Sequence, residues 1–260
     1  MGKSKIFGFI PARMSASRFP GKPLHPICNM PMIHHVIHRA QMFKEWEDLY
    51  LTTCDKEIQE FGESIGIKVI MTSASHTRAL DRVAEAAEKC GHDIADNDIV
   101  LNVQGDEPMM HPGMIDATIK PMLDEKDVNG TILAMKIISE DQYYDPNTLK
   151  IINNRKGDIL YTSRSPIPYC KKFSPEIGAM RIYGIFGFKW NFLKVFTNLK
   201  ESPLELVESC DSNRLYDNGY TQRIAPYPYV ESFAVDVPED IIKVEKYMKK
   251  DSYWKKYKDG

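Results

Sequence analysis

The chain lacks the marks of most specialised protein classes. Its five cysteines, Cys28, Cys54, Cys90, Cys170 and Cys210, are scattered, odd in number and form no C-x-x-C pair. That argues against a disulfide framework or a zinc site and leaves reduced cytosolic thiols as the simplest expectation. No apolar run approaches the ~20 residues that span a bilayer. The opening "MGKSKIFGFIPAR" has no apolar core of the ~7–15 residues that a signal peptide needs, so none is expected. It begins like a myristoylation site, but Ile6 stands where Ser or Thr is required. Net charge is only −2 over 260 residues, so nothing global points to nucleic acid, and any phosphate chemistry must come from local clusters. Neither an internal repeat nor a low-complexity linker is present, and no domain boundary is visible.

What is there fits an ordinary globular chain, 43% hydrophobic and 27% charged and long enough for a large core. In the first half, strand and helix patterns alternate. "KIFGFI", "DLYLTTC", "IKVIMT" and "DIVLNVQGD" read as strands. "MPMIHHVIHRAQMF", "KEIQEFGESIG", "ALDRVAEAAEKCG" and "HPGMIDATIKPML" read as helices, two of them stopped by Gly66 and Gly91. Such alternation implies parallel pairing through βαβ crossovers. The second half is less regular. "GTILAMKII" is a strand, and "LKIINNRKGDILYTSRSPIPY" is a hairpin around "NNRKGD". "MRIYGIFGFKWNFLKVF" is a strand running into a helix. "SPLELVESCDSNRLYDNGY" is a helix with Ser202 as N-cap and Glu205 at N3. A last helix enters near Pro238, and the tail "DSYWKKYKDG" is expected to be a surface extension.

An open parallel sheet binds ligands beyond the carboxyl ends of its strands. The first strand is followed there by "ARMSASRFPGKPL", which carries Arg13, Arg18 and Lys22, two prolines, one glycine and no acid. Arg forks and a Lys point charge suit a polyphosphate; the alternative is a solvated basic loop. "NVQGDEP" puts Asp106 at another strand end, where a carboxylate can hold Mg²⁺. "FAVDVPED" puts Asp236 after a third apolar stretch, as a second Mg²⁺ ligand or as the helix N-cap. Glu239 and Asp240 fit the first helical turn. Three cations and two strand-end acids together match metal-assisted nucleotidyl transfer. His34 and His38 lie one helical turn apart, but no HExxH glutamate separates them, which leaves a packing or surface role.

"IPARMSASRFPGKPL", "MPMIHHVIHRA", "LNVQGDEP", "LYTSRSPIPY" and "AVDVPED" resemble, in order over nearly the whole chain, the 3-deoxy-manno-octulosonate (KDO) cytidylyltransferases, or CMP-KDO synthetases. The resemblance implies an α/β fold: a mostly parallel, twisted sheet flanked by helices, nucleotidyltransferase and Rossmann-like, with a smaller β-rich dimerisation extension. It implies one nucleotidyltransferase domain over residues 1–260, with a hairpin and extension at about 150–200 serving the acceptor site and dimer contact. The implied reaction joins CMP from CTP to a small acidic sugar and releases pyrophosphate, with Mg²⁺ as cofactor. The implied setting is a cytoplasmic homodimer without nucleic-acid or membrane partners, activating a sugar for lipopolysaccharide or capsule.

By position, Arg13, Ser17, Arg18 and Lys22 resemble the triphosphate loop, with Arg13, Lys22, Asp106 and Asp236 as the catalytic set and Asp106 and Asp236 as metal ligands. His76, Asp81 and Arg82 match the segment near the nucleotide base. Gln104 and Arg164 match sugar-acid contacts, Arg164 as a carboxylate clamp or else a hairpin surface charge.

The sequence departs from the family at three places. "HTRALDR" has Arg78, Ala79 and Leu80 where the family has Ser, Gly and Thr. "IYGIFGF" places Ile182 and Phe186 where His and Tyr would meet the sugar. "ESCDSNR" offers Asp211 and Ser212 in place of Glu and Gln. A remodelled acceptor site for a modified ulosonic acid, such as an amino-deoxy variant, and a compensated site for KDO both remain open. So do a non-sugar acid such as a phosphonate and a non-catalytic nucleotide-binding homologue, although retention of both Asp106 and Asp236 argues against the last.

Overall fold

The structure is a computed structural model and describes residues 3–258. The apolar run Ile6–Pro11 forms strand β1, buried along almost its whole length. Two-residue strands β2 (Pro26–Ile27) and β3 (Met30–Pro31) pair antiparallel and lead into helix α1 (Met32–Gln41). Strand β4 (Asp48–Thr53), helix α2 (Lys56–Ser64), strand β5 (Lys68–Met71), helix α3 (Ala79–Lys89) and strand β6 (Ile99–Val103) follow the predicted alternation. Helix α4 (Gly113–Asp124), strand β7 (Gly130–Lys136), helix α5 (Glu140–Tyr144), strand β8 (Lys150–Asn153) and strand β9 (Ile159–Ser163) come next. Strand β10 (Met180–Lys189) runs directly into α6 (Trp190–Asn198); α7 (Pro203–Glu208), α8 (Asn213–Asp217), β11 (Arg223–Tyr227) and α9 (Asp240–Met248) complete the chain.

The chain packs as two compact units. One gathers the residues up to Ile94, Asp98–Asp116 and the chain from Val230 onward. Apart from the short β2–β3 pair, its strands are parallel, in the order β6-β1-β4-β5. Phe7, Phe9, Ile10, Leu51, Val100 and Leu101 are fully buried. Strands covered on both faces read as unbroken apolar runs, which is why their sequences were legible without alternation. Parallel pairing aligns Pro11 with Thr52 and Phe9 with Asn102, so the chain leaves β1, β4 and β6 at the same edge of the sheet.

The other unit holds Ala95–Asn97 and Ala117–Tyr229. Here β7 pairs parallel with β11 and antiparallel with β10, and β10, β8 and β9 form an antiparallel run. The β8–β9 hairpin closes around "NNRKGD" as expected. Its core includes Ile132, Leu133, Met135, Ile185, Phe188 and Phe196. Among the described residues no helix is long and apolar enough to cross a membrane.

Two expectations are corrected. The helix predicted over "SPLELVESCDSNRLYDNGY" is two short helices, α7 and α8, because Ser209 adopts φ 50° and turns the chain out of the helix. The capping box of Ser202 and Glu205 is present as read. The tail is no surface extension: Tyr257 is buried against α1, where its hydroxyl meets His35 and Arg39.

Candidate active site

The basic loop after β1 is anchored by its neutral groups. Ala12 N–H donates to Thr52 O (2.9 Å) and Met14 N–H to Asp55 Oδ2 (2.8 Å), continuing the sheet edge into the loop. Gly21 N–H closes the loop back onto Met14 O at 2.9 Å. Gly21 has φ 75°, a left-handed conformation that a side chain disfavours. Phe19, between the loop's cations, is buried among Val235, Ile241 and Val244. An apolar plug thus fixes a loop on which Arg13 and Arg18 are exposed and Lys22 turns inward.

Those charges meet the two predicted acids. Lys22 Nζ lies 2.9 Å from Asp106 Oδ2 and donates to Val235 O at 2.7 Å. Arg18 Nη2 lies 2.7 Å from Asp236 Oδ1. Val235 N–H donates to Asp106 O (3.0 Å), which holds the two acidic segments side by side. Gly105 lets the Asp106 turn lie against the end of β1, since a Cβ there would stand 2.7 Å from Pro11 O. Burial first, and then the charge of Asp106, push the Asp236 carboxyl above the ordinary carboxylate range, against the pull of Arg18 and Lys22. Asp236 is not a helix cap. Helix α9 begins at Asp240, whose Oδ2 accepts from the backbone N–H groups of Asp236 (2.8 Å) and Val237 (3.0 Å). Arg13 and Ser17 are exposed on the same loop, and Gln104 is half-buried beside the Asp106 turn.

The pair of acids suits a hard divalent cation. Asp106 Oδ1 is inaccessible to solvent and has no hydrogen-bond partner among the described residues. Mg²⁺ commonly takes one or two carboxylates and completes its shell with water and phosphate oxygens.

The segment before α3 is braced from the helix. His76 bonds Glu85, which also accepts from Ser73 N–H (2.9 Å) and from Lys89. Burial works against ionising Glu85, but the bonds from Lys89, Ser73 and His76 prevail and bring its pKa to about 2. Arg82 is buried and engaged with Thr72 Oγ1, His76 O and Cys54 Sγ. Asp81 is half-buried in the first turn of α3.

The remaining predicted residues lie in the second unit. Arg164 follows β9, and its guanidinium donates to the carbonyls of Glu208, Pro146 and Ser209. Ile182 is half-buried and Phe186 buried on β10, and the pairing of β10 with β7 shifts register between them. Bulges of this kind re-aim side chains beside functional sites. Asp211 is half-buried and Ser212 fully buried at the start of α8.

Sequence reasoning missed Phe19, Asp55, Glu85, Asp240 and Glu208. The first plugs the basic loop; Asp240 holds its own turn, and Asp55, Glu85 and Glu208 hold segments earlier in the chain. Only the apolar Phe19 inside a polar loop left a local signal.

A family model described as cytidylyltransferase matches residues 7–232. A protein described as 3-deoxy-manno-octulosonate cytidylyltransferase from Thermodesulfovibrio yellowstonii is 40% identical over 245 residues, 91% of this chain and 95% of its own. One so described from Solibacter usitatus is 37% identical over 246 residues, 94% of this chain and 95% of its own. A solved structure described as CMP:2-keto-3-deoxy-manno-octonic acid synthetase complexed with CTP aligns at a TM-score of 0.85 and 33% identity, covering 95% of this chain and 99% of that one. A 4-diphosphocytidyl-2C-methyl-D-erythritol synthase from Anaerococcus prevotii, 17% identical over 95% of this chain and 96% of its own with a TM-score of 0.63, shares the fold alone. The identities and the nearly full coverage, joined to the strand-end acids and the basic loop, establish that the chain belongs to the CMP-KDO synthetase family, as a cytidylyltransferase with a mixed, mostly parallel α/β nucleotidyltransferase fold.

Proposed function

We propose that the protein joins CMP from CTP to a 3-deoxy-ulosonic-type sugar acid, KDO or a modified KDO-like acid, with Mg²⁺ and release of pyrophosphate. The observation that carries this reading is the pairing of Lys22 with Asp106 and of Arg18 with Asp236 at the carboxyl edge of the parallel sheet. Each cation there neutralises an acid in the free protein. Arg13, Arg18 and Lys22 would hold phosphate oxygens, with the Ser17 hydroxyl beside them, and Asp106 and Asp236 would hold the ion. Bound there, Mg²⁺ would neutralise phosphate charge and help to orient the triphosphate.

The acceptor hydroxyl oxygen bonds to the α-phosphorus while the bond from that phosphorus to the bridging oxygen breaks. The hydroxyl proton is released and pyrophosphate departs. The protein's part is positioning and charge neutralisation. In the first unit His76, Asp81 and Arg82 are assigned to the nucleotide and Gln104 to the acid; in the second, Arg164, Ile182, Phe186, Asp211 and Ser212 are assigned to the acid. The names of the relatives support KDO as acceptor. The apolar pair Ile182 and Phe186, flanking the β10 bulge, favours a modified acid with fewer polar groups at the matching positions. The cellular reading is a cytoplasmic homodimer that activates the acid for lipopolysaccharide or capsule assembly.

The test is pyrophosphate release from CTP and Mg²⁺ with a panel of KDO, amino-deoxy ulosonic acids and phosphonates. Turnover with an ulosonic acid supports the reading. Turnover confined to phosphonates, or with none of the acids, overturns it. Asp106→Asn keeps the volume and removes the charge, so it is expected to lower kcat by more than about a hundredfold without loss of folding.

A further inference from the structure

Glu208, the last residue of α7, grips one residue, Arg164, at two points. Its carboxylate accepts from Tyr161 OH (3.0 Å), Ser163 Oγ (2.6 Å) and the backbone N–H of Arg164 (2.8 Å). Its main-chain carbonyl accepts from Arg164 Nε at 2.8 Å. Both the backbone and the head of Arg164 are therefore held by one residue. The rest of the guanidinium is held by carbonyls: Nη1 donates to Pro146 O at 2.9 Å and Nη2 to Ser209 O at 3.5 Å.

A guanidinium carries five N–H groups. Three are engaged here, and one hydrogen on each η nitrogen has no partner among the described residues. Two N–H groups on adjacent nitrogens form the fork that a carboxylate accepts bidentately. The carbonyls leave that fork uncommitted and fix its direction.

Two further observations fit a built clamp. Lys150 is wholly buried, and its Nζ donates to Asp145 O (2.7 Å), Thr148 O (2.8 Å) and Arg164 O (2.8 Å). All three ammonium hydrogens are thus engaged, so Lys150 offers nothing to a substrate and fixes the turn that presents Pro146 O. Ser209, whose carbonyl Arg164 reaches, has φ 50°, a sparsely populated conformation for a residue with a Cβ.

We propose that Glu208 is a positioning residue that presents the fork of Arg164 to the carboxylate of the acceptor acid. The inference rests on the reading of Arg164 as the acceptor's partner. An arginine free to rotate would lose side-chain entropy on binding; one already held loses less, and the saving appears as affinity for the acid alone.

Glu208→Gln is the test, because the amide nitrogen that replaces one carboxylate oxygen faces N–H and O–H donors. Kinetics are measured with CTP and with KDO, or with whichever acid of the panel turns over. Weakening the carboxylate's hold on the Arg164 backbone N–H and on the Tyr161 and Ser163 hydroxyls lets the arginine shift, and predicts about a tenfold rise in KM for the acid, with KM for CTP unchanged. In an Arg164→Ala background the same change is expected to add less than about twofold, since coupled residues are not additive. Tyr161→Phe removes one bond to Glu208 without touching its charge. It is expected to raise the same KM by about twofold to threefold, and it carries the test if Glu208→Gln does not fold. Equal rises in both KM values, or full additivity with Arg164→Ala, overturn the inference and make Glu208 a fold residue. Turnover with KM for the acid untouched by Arg164→Ala overturns this inference and leaves the proposed reaction standing. Absence of turnover with every acid overturns both.

Discussion

Asp236 shows how a residue can serve a site at the expense of the free fold. Its pKa is raised, so over the interval between the unfolded and folded values the folded chain binds more protons than the unfolded one. Stability therefore falls as pH rises through that interval and stays lowered at neutral pH. Removing the charge reverses this. Asp236→Asn is expected to lose turnover while raising Tm at pH 7, and the Tm gain is expected to vanish as pH falls below the carboxylate range. The lost pair with Arg18 offsets little, because Arg18 is half exposed and surface pairs contribute little. Calorimetry at pH 7 and pH 4 checks both signs; a lower Tm at pH 7 would show that the ion pair outweighs the repulsion. At this scale the sequence was legible where chemistry follows from residue type and place. Three cations without acids and two strand-end aspartates stood out. Asp240 and Glu208 did not: one accepts backbone N–H groups within its own turn and the other across the fold, and both look in sequence like any other helix-end acid.

At the level of elements, helix α1 depends on what packs over it. His35 Nε2 faces Ile27 O at 2.9 Å and must carry the proton, so Nδ1 is the acceptor and takes the Tyr257 hydroxyl proton at 3.1 Å. The same hydroxyl accepts from Arg39 Nε (2.9 Å), and Arg39 Nη2 pairs with Asp251 at 2.7 Å. Protonating His35 would set an N–H against an O–H. Burial, aided by the nearby Arg39 charge, lowers its pKa from 6.5 to about 4. The unfolded chain then binds more protons than the folded one between those values, so stability is lost as pH falls from about 6.5 towards 4, on the order of 3 kcal/mol at the lower end. Tyr257→Phe leaves Arg39 Nε without its acceptor and is expected to cost about 1–3 kcal/mol. Urea midpoints against pH, with the slope m unchanged, check both effects. None of this was legible locally: "DSYWKKYKDG" reads as a basic tail, and its partners lie more than two hundred positions earlier in the chain. The strands and longer helices were legible because each carries its own apolar periodicity. The break at Ser209 was not, since two short helices joined by a brief turn carry too few apolar positions to mark it.

For the molecule as a whole, order along the chain and order in space differ. The unit that holds the paired acids is assembled from three stretches of sequence, the last running from Val230 to the end. No composition shift marks that assembly, which is why no domain boundary could be read. The last stretch does more than carry Asp236. It supplies Val235, Ile241, Val244 and Met248 to the buried cluster that receives Phe19, Ile27, Met32 and Met109. Full burial of an aliphatic side chain contributes about 1.5–3 kcal/mol, so four of them represent roughly 6–12 kcal/mol, comparable to the whole stability of a typical domain. Removing the chain after Tyr229 is therefore expected to abolish cooperative unfolding of this unit, to free the loop that Phe19 anchors and to eliminate nucleotide protection in thermal melts. Adding the missing segment back as a separate peptide restores the apolar faces but adds the entropy cost of a bimolecular contact, so protection by CTP and Mg²⁺ is expected only at high peptide concentration. A truncated chain that melts cooperatively and is still stabilised by CTP would show that the basic loop and Asp106 bind nucleotide without the wall behind them, and the role given to Phe19 would fall with that result.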